Sequence, residues 1–168
     1  MNKLHQIRSL KQVAVFLICF IAISGFSQQP VFTRHDTLRG SVTPERAWWD
    51  LNYYHLDIFV NPADSSIQGK NLVRYKVLES KQILQIDLQE PMKITKVEQT
   101  GRELTFAKDG NAWFISLPET KPIGQFDEVV VFYEGKPKVS KRPPWDGGIA
   151  WKTDQNGKPF VASACQGD

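Results

Sequence analysis

A chain of 168 residues, 41% hydrophobic and 23% charged, can bury the core of one globular domain and is too apolar to be disordered. Nothing in its formal net charge of +3 points to nucleic acid or an anionic membrane as a partner.

Lys3, Arg8 and Lys11 precede an apolar run from Val13 to Ile23, and Gly25-Phe26-Ser27 places small residues around a large one. The run falls short of the ~20 residues that span a bilayer, so residues 1–27 read as a secretory signal cleaved after Ser27 rather than a membrane anchor. The expected location is outside the cytoplasm: periplasm, cell surface or medium. No membrane association is expected after cleavage. The leader holds three of the 21 basic residues and none of the 18 acidic ones, so the mature chain is neutral. Cys19 leaves with it, which leaves Cys165 alone and no internal disulfide. With no histidine near it in sequence, Cys165 reads as a small buried hydrophobe rather than a nucleophile.

Residues 28–45 are polar and aperiodic and read as an extended arm. The β domain is expected over residues 46–168. Trp48-Trp49 interrupts the arm, either as an aromatic plug where it docks on a sheet or as a sugar-stacking platform.

From Asn52 to Val60 the alternation puts Tyr54, Leu56, Ile58 and Val60 on one face and Tyr53, His55, Asp57 and Phe59 on the other. After the turn cluster 61–66, Val73, Tyr75 and Val77 alternate with Arg74 and Lys76. The two runs predict a long antiparallel hairpin, with Leu56 and Ile58 facing inward beside Val130 or Phe132. Leu84, Ile86 and Leu88 share a face of a third strand. A short fourth runs from Lys93 to Glu98 with Ile94 and Val97 inward. A hairpin with Asp109-Gly110 at its tip joins Leu104–Phe106 to Trp113–Leu117. The apolar run Val129–Tyr133 predicts a strand inside the sheet stack. The proline-rich, basic stretch 135–145 is a loop, read as a solvated charge run. The last hairpin joins Gly147–Trp151 to Phe160–Gln166 through Asn156-Gly157, a pair suited to a type I′ turn. The chain is therefore all-β: antiparallel curved sheets or a sandwich.

The residues alone offer little chemistry. His35 and His55 lack partners at metal-ligand spacing, so no zinc site is expected within the chain. A phosphate loop, a nucleophile elbow and a Cys-x-x-Cys are all absent from the sequence.

Several short segments, taken in order, resemble the amino-terminal domain of the zinc aminopeptidases that include aminopeptidase N and leukotriene hydrolase. Tyr53-Tyr54-His55-Leu56-Asp57-Ile58 resembles the segment that opens that domain, leading to a Gly-to-Tyr strand, here Gly69 to Tyr75. Leu84–Leu88, Phe132-Tyr133-Glu134-Gly135 and Gly147–Trp151 resemble later strands, and Ser163-Ala164-Cys165-Gln166 falls where the family has T/S-Q-x-Q/E. The resemblance implies a saddle-like β domain that walls one side of a peptide cleft, with Gln166 as a substrate-binding residue. It also implies zinc in the complete protein, held by a catalytic domain through a His-Glu-x-x-His region that lies beyond this sequence. The expected partners are then a peptide substrate and the chain's own catalytic domain. Ala164 departs from the motif, whose glutamine there contacts substrate. From the residues alone, a stand-alone extracellular β sandwich that binds glycan or protein through Trp48, Trp49 or Trp145 stands as the alternative.

Overall fold

The computed structural model describes residues 31–164, and the architecture below is that of the unit Thr33–Asp168. The leader, Cys165 and Gln166 lie outside the described residues.

The predicted all-β class holds: about 53% of the described residues are strand and 8% helix. The helix lies in the segment expected to be an extended arm. Helix α1 spans Arg34–Gly40 and α2 spans Pro44–Ala47. The Thr33 hydroxyl accepts from the Asp36 amide, and the Asp36 carboxylate accepts from the Thr33 amide at 2.8 Å, so two of the orphan donors at the start of α1 are satisfied reciprocally. The Thr33 hydroxyl, which donates to the Asp36 carboxylate at 2.7 Å, and then the Thr33 amide hold that carboxyl below its ordinary range. Pro44 opens α2, where its missing N–H costs nothing.

Ten strands follow. The large sheet contains β1 (Trp49–Asn61), β2 (Ser66–Val77), β4 (Lys93–Gln99), β5 (Arg102–Glu103) and β8 (Phe126–Gly135), in the order β1-β2-β8-β4-β5. The small sheet contains β3 (Ile83–Asp87), β6 (Phe106–Asp109) and β7 (Ala112–Ser116), in the order β3-β7-β6. Strands β9 (Gly148–Thr153) and β10 (Pro159–Ala164) form a separate hairpin. All the strand pairs are antiparallel.

One core joins the two sheets. Val73, Tyr75, Val77, Ile94, Val97, Val129 and Val131 come from the large sheet, and Leu84, Trp113 and Ile115 from the small one. The run Val129–Tyr133 forms the middle strand of the five, as its two apolar faces require. Ile94 and Val97 are both buried although three residues apart. A register shift between Ile94 and Lys96 resolves the parity: the bulge inserts one residue and turns Val97 back toward the core.

The arm is fastened to the small sheet through Gln85, which is 1% exposed. Its side-chain carbonyl accepts from the Thr43 hydroxyl at 2.6 Å, and its amide donates to the Asp87 carboxylate at 3.1 Å and the Leu38 carbonyl at 3.5 Å. Arg46 also pairs with Asp87 and donates to the Ser41 carbonyl at 2.8 Å.

The structure corrects one face assignment. Tyr54, Leu56 and Ile58 do lie on the core side of the sheet, because Tyr54 pairs with Val73 and Leu56 with Asn71. Yet Leu56 is 54% and Ile58 52% exposed. Asn71 pairs in turn with Val131, so the same-face neighbour of Leu56 beyond β2 is Val131, and Val130 and Phe132 face the other way. Alternation identifies a face, whereas burial needs a second layer, and no described residue covers this end of β1.

Candidate functional site

The hairpin that leads to Gln166 is built in steps. Ile149 donates to the Lys138 carbonyl at 2.8 Å and its own carbonyl accepts from the Ser140 amide at 3.1 Å, which fixes β9 against the preceding loop. Strand β10 then pairs along β9, from Pro159 opposite Thr153 to Ala164 opposite Gly148. The connection is not the expected type I′ turn. Gly157 donates to the Asp154 carbonyl at 3.0 Å, and Asp154 to that of Lys158 at 2.8 Å. Of the turn pair only Gly157 has a positive φ, 77°. This is a three-residue loop, a turn followed by a left-handed glycine. The Asp154 carboxylate holds it by accepting from the amides of Asn156 and Lys158, both at 2.8 Å. The other hairpin shifts by one residue too: Asp109 pairs with Ala112, so its turn residues are Gly110-Asn111.

The stretch 135–145, read as a solvated charge run, lies mostly in the loop 136–147, which is organised around Asp146. One carboxylate oxygen accepts from the Ser140 hydroxyl at 2.6 Å and the Arg142 amide at 2.7 Å, the other from the Lys141 amide at 2.5 Å. The Ser140 hydroxyl is the main cause, and the two amides further ones, of a carboxyl held down to about 2. The unfolded group titrates near the ordinary 3.8. Folding-linked order in this loop is therefore fully present above 3.8 and lost as pH falls through about 2. Hydrogen exchange should show the Lys141 and Arg142 amides protected at neutral pH and unprotected below pH 2, and Asp146→Asn should remove most of that protection at neutral pH. Protection that does not change with pH would mean that another group holds the loop.

The tryptophans divide by environment. Trp48 is fully buried and meets Tyr75 edge-on, with ring centroids 5.7 Å apart. Its indole N–H donates to the Ile83 carbonyl at 2.7 Å. Trp49 is half-buried beside Tyr75, and its N–H donates to the Glu45 carbonyl at 3.0 Å. They form the plug, and Trp48 has no face to offer a sugar. Trp145 is exposed, with no ring contact among the described residues. The stand-alone binding module thus finds no support.

His35 sits in α1. His55 lies on exposed β1, 3.3 Å from the Tyr53 hydroxyl and 3.5 Å from the Asp57 carboxylate. Among the described residues no three histidine, cysteine or acidic side chains gather where a metal ion could be held. The donor set here does not fit zinc.

One polar cluster has no forewarning in the sequence. Asp127 is 9% exposed at the start of β8. Its carboxylate accepts from the Gln99 amide at 3.0 Å, the Tyr75 hydroxyl at 3.5 Å and the Glu128 amide at 2.9 Å. Burial, followed by the Asp127 charge, pushes the Tyr75 hydroxyl pKa up. The cluster borders a cavity of about 360 Å³ also lined by Arg102, Glu119 and Lys121. Its hydrogen bonds join β2, β4 and β8 at the end of the core, which is a structural task.

No family model matches the sequence, and no curated protein does. Solved structures do. An M1 zinc metallopeptidase from Deinococcus radiodurans aligns with a TM-score of 0.51 and 17% identity, covering 65% of this chain and 27% of that one. A variant of that enzyme bound to a Tyr-Ser-Ala substrate gives 0.51 and 16%, covering 67% and 28%. Yeast LTA4 hydrolase in complex with bestatin gives 0.50 and 18%, covering 68% and 18%. The fold is that of an M1 peptidase amino-terminal domain.

The chain aligns with less than a third of each of these structures. Within the M1-type fold, the short resemblances acquire physical reasons. Tyr75 is buried beneath both tryptophans. Gly69 lies where an added Cβ would come within 2.0 Å of the Asp57 carbonyl. Leu84 is core, and Gln85 and Asp87 of the same strand hold the arm.

Proposed function

We propose that this chain is the amino-terminal β domain of an exported zinc metalloaminopeptidase and that it walls one side of the peptide cleft. The observation that carries the reading is the fold shared with M1 zinc metallopeptidases over about two thirds of the chain. The order of short resemblances from Tyr53 to Gln166 supports it. Zinc and the hydrolytic step belong, in this reading, to a separate catalytic domain, since the residues described here do not fit the metal. The chain's own contribution is to bind and orient.

Strand β10 ends at Ala164, and Gln166 follows two residues on. A glutamine amide offers donor and acceptor together, so Gln166 can hold either the amino group or the first carbonyl of a peptide. Losing one hydrogen bond to a charged group costs about 1.5–3 kcal/mol, or about one to two decades in kcat/KM. Gln166→Ala in the complete enzyme should slow hydrolysis of an aminoacyl anilide by that factor, with zinc content and melting temperature unchanged. Gln166→Glu should lose less. Unchanged kinetics would assign Gln166 to satisfying backbone groups at the strand end. A complete gene product that binds no zinc and cleaves no aminoacyl substrate would overturn the peptidase reading itself.

A further inference from the structure

Strand β1 is a terminal strand of its sheet, so one of its two backbone edges has no partner among the described residues. Edge strands are normally blunted with lysine, proline or brevity. β1 runs 13 residues, and from Tyr53 to Asn61 it contains neither lysine nor proline. Its side chains are apolar and exposed: Tyr54, Leu56 and Ile58 on the core side, Tyr53 and Phe59 on the other. The ladder with β2 is unbroken from Tyr53 to Asn61, so this stretch is straight enough to template another strand.

We propose that β1 pairs with β1 of a second copy of this chain. The pairing is antiparallel, with the two-fold axis at Leu56, so that His55 of each copy lies opposite Asp57 of the other.

Symmetry and charge select that register. A two-fold axis normal to a continuous sheet sets residues of the same face opposite each other, so the numbers of paired residues must sum to an even value. With the axis at Asp57, two carboxylates would face each other. With the axis at His55, two imidazoles would, and Asp57 would oppose Tyr53. The axis at Leu56 sets His55 against Asp57 twice, Tyr53 against Phe59 and Tyr54 against Ile58. Each of these is a favourable cross-strand pair. The same two groups already lie together along one strand, where the His55 imidazole is 3.5 Å from the Asp57 carboxylate. Lys70 of β2 is the other charged group facing Asp57, at 3.4 Å, and it remains one strand inside the join. Ten strands, five from each copy, would then form one continuous sheet.

The test is sedimentation of the 168-residue chain over a concentration series. A dimer is expected. His55→Asp should weaken it about tenfold or more, because two carboxylates then face two carboxylates. Adding Asp57→His to that variant should restore it, since every pair is reciprocal. Cross-linking checks the register without relying on either charge variant. In a Cys19→Ser, Cys165→Ser background, Leu56→Cys should be joined by a short bismaleimide. Lys70→Cys should not, because its copies would stand about 16 Å apart, three strand spacings across and two residues along. A monomer at every concentration, a dimer indifferent to His55→Asp, no recovery in the double variant, or no cross-link at position 56 would each overturn the proposal.

Discussion

Trp48→Ala should remove most of the stability of the domain. The side chain is fully buried, lies edge-on to Tyr75, and spans from the large sheet to the Ile83 carbonyl of the small one. Truncating a buried tryptophan costs about 3–5 kcal/mol in lost contacts and residual cavity. Whole domains of this kind are stable by only about 5–15 kcal/mol. The aromatic pair with Tyr75 and the orphaned Ile83 carbonyl add to the loss. The main chain at Trp48 also accepts from the Leu78 and Glu79 amides, at 2.8 and 3.1 Å, so a collapsing cavity would pull on the end of β2 as well. Trp48→Phe keeps a ring and gives up the indole hydrogen bond, and should cost much less. Urea midpoints for both variants measure this. Equal midpoints for Trp48→Ala and the unaltered chain would mean that the two sheets are held together by something other than the plug.

Gly69→Ala is the second severe change. A methyl group there would sit 2.0 Å from the Asp57 carbonyl oxygen and 3.0 Å from the Tyr133 hydroxyl. The hydroxyl can swing aside. The carbonyl belongs to the ladder, where Asp57 pairs with Lys70 and Gly69 with Ile58, so relief requires separating β1 from β2. Overpacking costs about 1–3 kcal/mol where side chains can yield, and a backbone obstacle puts this site at the upper end or above. The lowered urea midpoint should come with faster amide exchange at Ile58 and Lys70. A variant with native exchange at both would show that the sheet absorbs the methyl by a small change of twist.

These two sites differ in how far the sequence disclosed them. The alternation around Val73, Tyr75 and Val77 was readable because one face of β2 is covered and the other wet, and Val129–Tyr133 because both sides of a middle strand are apolar. The same alternation on β1 misled: it reports a preference for two faces and carries no information about what lies above them. Helix α1 was missed because its signal is a cap, Thr33 and Asp36, with no apolar period behind it. Both turns around Asp109 and Asn156 were found from their glycines and displaced by a residue or two, because an aspartate side chain or a strand pair can claim the position beside the glycine. The bulge that buries Val97 and the polar contacts of Gln85 and Asp127 depend on packing partners distant in sequence. Gln166 was legible only through resemblance, since nothing in a lone glutamine at a strand end speaks of peptide.

The burial pattern along the first hairpin divides the domain mechanically. Val73, Tyr75 and Val77 are buried, but from Ser66 to Leu72 no residue of β2 is, and β1 is exposed along nearly its whole length. Toward the turn at 61–66, the sheet is one layer thick. A single layer has no interior, so its ladder is held by backbone pairing and surface contacts such as Lys70 with Asp57, and can open at the tip without admitting water to the core. Amide protection should then fall off from Val73 toward Ser66 as a slope, whereas across Val129 and Val131 it should switch as one step with global unfolding. The hairpin would behave as a spring clamped at the Trp48 end, with stiffness set by its anchorage and compliance set by its length.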